Sequence, residues 1–166
     1  MGTSGVTGGF KVDFAYQEQY LPQVIAILKA NATALIAIEV ADPDSDMQRA
    51  TDLNITISSG SVAVRIRRAS QSHYRDLTIR AYKNGNKTEL HKLREGYAKW
   101  YLYAWEDTQG QLAEWMLVDI DKMREAELFS ENRPIKMNKD GYTGFIAYSI
   151  GELSKANAII AKRIAA

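Results

Sequence analysis

The chain has 166 residues, 46% of them hydrophobic and 25% charged, which suits a single folded soluble domain and argues against disorder. It contains no cysteine, so disulfides and thiolate metal centres are excluded, and no apolar run approaches the roughly 18 residues of a membrane span. The net charge of +1 hides an asymmetry, because nine basic residues and only two acids lie between Arg65 and Arg94, leaving 12 basic and 18 acidic residues elsewhere.

Residues 1–9, rich in Gly, Ser and Thr, read as a flexible lead-in to one domain over 10–166. No basic stretch followed by a long apolar one is visible, so no secretory signal is expected. From Tyr16 to about Ala32, the spacing of Leu21, Val24, Ile25 and Leu28 predicts an amphipathic helix with Pro22 in its first turn. The run Leu35 to Val40 suits a strand or a helix tail. Asp42 to Asp46 reads as a loop. Its aspartates superficially match a calcium loop but lack the glycine and the closing glutamate.

Strict alternation then predicts three strands: Asp52 to Ile57, Val62 to Arg67, and Asp76 to Tyr82. A Ser58-Ser-Gly60 hairpin turn joins the first two, and Lys83-Asn-Gly-Asn86 closes the third. As neighbours in register, the three strands would collect Asp52, Asn54, Thr56, Ala63, Arg65, Arg67, Asp76, Thr78 and Arg80 on one polar face. Thr88 caps a short helix to about Glu95. Strands follow at Trp100 to Trp105 and Leu112 to Ile120, then a helix from Asp121 to Phe129. An extended segment from Thr143 to Ile150 and a final helix from Ser154 to Ala165 complete the chain. The expected class is α+β, a central mixed sheet with an antiparallel strand meander, flanked by helices.

Concentrated positive charge is the footprint of a polyanion binder. Arg65, Arg67 and Arg80 are candidate anion contacts, since arginines on adjacent strands repel unless an anion or acids intervene. Arg68 and Lys83 extend the same stretch. His73 reads as an exposed loop residue and His91 as structural. The aromatics between Tyr97 and Trp115 read mainly as core, with base stacking as the alternative. With only two histidines, a bound metal would sit on carboxylates, which suits magnesium or manganese.

Thr51-Asp52 at the head of one strand, followed by Val62-Ala-Val-Arg-Ile-Arg67 on the next, resembles the PD-(D/E)xK, or restriction-endonuclease-like, nuclease superfamily. In that family a carboxylate and a lysine two positions apart share a strand face with an acid from the preceding strand. Ala63 stands here at the second acid position and Arg65 at the lysine position, two departures from the pattern. Asp76 would supply the missing acid from the third strand, and Glu18 resembles an accessory helix acid. Asn138 to Phe145 is similar to a late segment of some members.

The resemblance implies a magnesium- or manganese-dependent nuclease acting on phosphodiester bonds. Its metal ligands would be Asp52, Asp76 and Glu18. Its catalytic residues would be Asp52, Asp76 and Arg65, and its nucleic-acid contacts Arg65, Arg67, Arg68, Arg80 and Lys83. DNA is the expected partner, in the cytoplasm, with a homodimer as a further reading. The alternatives are a catalytically inactive nucleic-acid-binding protein on the same fold, which Ala63 favours, and a structural or assembly protein.

Overall fold

Val62, Val64 and Ile66 alternate with Ala63, Arg65 and Arg67, and this period-two pattern forms strand β3 (Gly60–Arg67). The computed structural model describes residues 15–31, 38–40, 53–55 and 60–164. In it, β3 lies inside a six-stranded mixed sheet with the order β1 (Ile38–Val40), β2 (Leu53–Ile55), β3, β5 (Trp100–Glu106), β6 (Leu112–Asp119), β9 (Ile159–Arg163). The β1–β2 and β2–β3 pairs are antiparallel, as are β5–β6 and β6–β9. The β3–β5 pair is parallel, with Arg65 beside Tyr103 and Arg67 beside Trp105. Strand β4 (Asp76–Lys83) belongs to a second, antiparallel sheet with β8 (Thr143–Ser149) and β7 (Lys136–Met137). The helices are α1 (Leu21–Asn31), α2 (Glu89–Arg94), α3 (Ile120–Glu125) and α4 (Ile150–Lys155). The α+β class and the mixed sheet are as expected.

The meander is shorter than the alternation suggested. Of its three expected strands β2 and β3 do pair antiparallel, with β1 on the other side of β2, but β4 does not pair with β3. Residues 68–75 between them include a 3-10 turn at Ala69–Gln71, too long and too curled for a tight hairpin. Leu77 and Ile79 are fully buried, so β4 is drawn over the large sheet rather than beside it. The vacated edge of β3 takes β5, reached by the long crossover that parallel pairing needs.

Both faces of the large sheet are covered. On one face, Val62, Val64 and Ile66 pack with Tyr20, Val24 and Leu28 of the N-terminal helical segment. On the other, Ala63, Tyr101, Tyr103 and Trp105 pack with Leu77, Ile79, Ile146 and Tyr148 of the small sheet and with Leu90 and Leu93 of α2. Burial of each large apolar side chain contributes about 1.5–3 kcal/mol. The aromatic run is therefore chiefly core, as expected. Ala63, assigned to a polar strand face, is a core residue, 3% exposed.

Two helices end early. Helix α3 stops at Glu125, and Glu127 has φ 56°. Helix α4 stops at Lys155, Asn157 turns the chain at φ 53°, and the expected C-terminal helix is instead strand β9. The run Ala158-Ile-Ile-Ala161 fits either period, and pairing with β6 decides it.

Candidate nucleic-acid interface

The face of β3 that carries Arg65 and Arg67 looks towards the small sheet, not towards open solvent. Glu89, the first residue of α2, reaches Arg65: its Oε2 accepts from Arg65 Nη2 at 2.7 Å and from the Arg80 backbone N–H at 2.9 Å. Glu89 Oε1 accepts from the Tyr101 hydroxyl at 2.5 Å, and Arg65 Nε donates to the same hydroxyl at 3.2 Å. The side chains of Arg65 and Glu89 are only 25% and 17% exposed. Burial works against the charge on Arg65, but Glu89 beside it holds the guanidinium pKa above its ordinary value. Burial first, and then Glu89, pushes Tyr101 well up. This is a closed network: the acceptor shared by three donors is itself an acid supplied from 24 residues away. The sequence reading missed Glu89. The signal was present, since Glu89 is one of only two acids in the basic stretch.

Arg67, two residues further along the same face, has no such acid. Its Nε is buried without a hydrogen-bond partner, and no ion pair to it forms among the described residues. It lies near Tyr103, whose pKa is raised by burial and held back by the Arg67 charge. The Tyr103 hydroxyl is in turn shared with Thr78 Oγ1 at 2.9 Å.

Other members of the basic stretch divide into two groups. Arg75 pairs with Glu114, Lys87 with Glu95, and Arg94 donates to the Phe129 carbonyl. Arg80 and Lys83 on β4 are exposed and form no ion pair among the described residues. Arg68 is exposed just past β3, with its guanidinium 4.6 Å from the Tyr16 ring centre. His73 is exposed in the 68–75 connection, as read. His91 is structural, as read: its Nδ1 accepts from the Thr88 backbone N–H at 3.2 Å, in a capping box for α2.

Of the expected metal ligands, Asp52 lies outside the described residues. Asp76 opens β4, and its Oδ1 is buried with no hydrogen-bond donor. Glu18 is exposed on the helical segment that packs on the opposite face of the large sheet from β4. The structure therefore does not bring Glu18 and Asp76 to one face. Among the described residues no group of three carboxylates or histidines could hold a metal ion. One orphan carboxylate oxygen fits a single ligand, and it is not a site for magnesium or manganese by itself. No helix among them is long and apolar enough to cross a membrane.

No protein-family model matches the chain, and no curated protein matches it.

Proposed function

We propose that this protein binds nucleic acid, using Arg67 and the exposed cations Arg68, Arg80 and Lys83 to contact phosphates. The carrying observation is Arg67. It is half-buried at the margin of the sheet, and no ion pair to it forms among the described residues, so the accessible part of its guanidinium is left to meet an anion. Its neighbour Arg65 shows how the same sheet face satisfies an arginine when only the protein is involved. A planar guanidinium also suits bidentate phosphate contact. Arg65 itself is committed to Glu89, so it belongs to the scaffold under this reading rather than to the ligand.

Metal-dependent cleavage is the second reading, and the orphan Oδ1 of Asp76 favours it. The helix, strand and hairpin order of α1, β1, β2 and β3 also supports the PD-(D/E)xK resemblance. Asp52 and Asp76 would be its ligands, with DNA as substrate.

Fluorescence anisotropy with a labelled DNA duplex tests the first reading, and a cleavage assay with manganese or magnesium tests the second. Binding that survives without any cleavage supports the nucleic-acid-binding reading. Manganese-dependent cleavage abolished by both Asp52→Ala and Asp76→Ala establishes the nuclease. Absence of both activities removes both readings.

A further inference from the structure

The outer face of the small sheet carries a second feature that the basic stretch alone does not explain. Cross-strand register places Arg80 of β4 opposite Phe145 of β8, and Phe145 opposite Lys136 of β7. Directly opposed residues share a sheet face. One row across three strands therefore reads cation, aromatic, cation. Lys83 is opposite Thr143, two residues before Phe145, and so joins the same face. Arg80 and Lys83 are three apart, which in a regular strand would set them on opposite faces. The register shift between Arg80 and Tyr82 removes that conflict, as a bulge re-aims the residues beyond it.

Arg80, Lys83 and Lys136 are exposed, and Phe145 is half-buried between them. Asp140, in the β7–β8 turn, is an acid that feels the Arg80 charge. Its carboxylate already accepts from the Thr143 hydroxyl at 2.6 Å and from the backbone N–H groups of Tyr142 and Thr143. Asp140 offsets part of the Arg80 charge from its turn, and three cations around one ring still leave a net positive row that complements a chain of phosphates bearing exposed bases.

Resting on the nucleic-acid reading above, we propose that this face is a stacking platform for single-stranded nucleic acid, in which an unpaired base stacks on Phe145 and the flanking phosphates meet Arg80, Lys83 and Lys136. Adjacent strands are about 4.8 Å apart, so the flanking cations stand on strands roughly 10 Å apart with the ring between them. A base inside a duplex keeps its faces stacked on its neighbours and cannot use the ring. Stacking on an aromatic ring is tolerant of sequence, so the preference is for strandedness rather than for a motif.

Anisotropy with labelled oligothymidylate of about 20 nucleotides and with the matching duplex tests the idea, with folding of each variant checked by circular dichroism. The proposal expects tighter binding of the single strand. Phe145→Leu should weaken it by about tenfold or more, while Phe145→Trp keeps it. Loss through Phe145→Leu without rescue by Phe145→Trp, or equal binding by Phe145→Leu and wild type, overturns it. If duplex binding is lost on Arg67→Gln while Phe145→Leu changes nothing on either probe, only the platform fails. If neither probe binds at all, the nucleic-acid reading fails and the platform with it.

Discussion

Glu89 satisfies three donors at once: the Arg65 guanidinium, the Tyr101 hydroxyl and the Arg80 backbone N–H. Glu89→Ala leaves all three without an acceptor in a half-buried setting. Breaking such a pair from one side costs about 3 kcal/mol, which lowers the melting temperature of a chain this size by roughly 10 °C. Thermal denaturation checks this. Arg67 is the reverse case. Because no ion pair to it forms among the described residues and its Nε is buried without a partner, Arg67→Met should leave the melting temperature unchanged or raise it while nucleic-acid affinity falls.

Glu152 gives a pH-dependent prediction. The Ser149 backbone N–H donates to its carboxylate at 2.8 Å, Arg133 pairs with it, and its pKa is held down at about 2. A carboxylate depressed in the folded state stabilises above its unfolded pKa of about 4.3, and that stability is lost as pH falls towards the folded value. Glu152→Gln should therefore destabilise at neutral pH, with the difference from wild type shrinking between about pH 4.3 and about pH 2. Paired melts across that range measure it. At this scale the sequence showed that Arg65 and Arg67 share a strand face. It could not show that, among the described residues, only Arg65 meets an acid, because that acid is distant along the chain and arrives on a helix.

Most elements were legible because their residues alternate or recur with a clear period. Strands β3, β4, β5, β6 and β8 and helix α2 fall close to where the pattern puts them. Pairing was not legible. Alternation says that β4 is a strand but not which edge it meets, and three successive strands read naturally as a meander. The C-terminal misreading has the same source, since Ile159, Ile160 and Ala161 suit both periods and the β6 edge settles the outcome.

In the small sheet, Gly144 is fixed by contact. A Cβ there would lie 2.7 Å from Ile135 Cγ2, 2.9 Å from Met137 Sδ and 3.3 Å from the Lys136 carbonyl oxygen. Side-chain ends can shift for one methyl group, but backbone cannot. Gly144→Val should therefore cost about 1–3 kcal/mol and loosen β7 from β8. Chemical denaturation gives the cost, and amide exchange at Lys136 and Met137 reports the loosening.

At the scale of the whole molecule, the large sheet is covered on one face by the N-terminal helical segment and on the other by the small sheet and short helices. The basic stretch begins inside this sandwich at Arg65 and emerges from it at Arg68, Arg80 and Lys83. Charge in the sequence therefore overstated the free positive surface, since Arg65, Arg75, Lys87 and Arg94 are already engaged by the protein, and Arg68, though exposed, lies over the Tyr16 ring and near Glu106. Arg67 sits at the boundary, half inside and unpartnered at Nε. If phosphates complete that boundary, binding releases counterions in proportion to the cations that make contact.

The most direct measurement is the salt dependence of oligonucleotide affinity for wild type and Arg67→Gln. Wild-type affinity should weaken steeply with salt, and the slope for the variant should be shallower by about one. Equal slopes and equal affinities for the two proteins, or binding that ignores salt, would contradict this expectation.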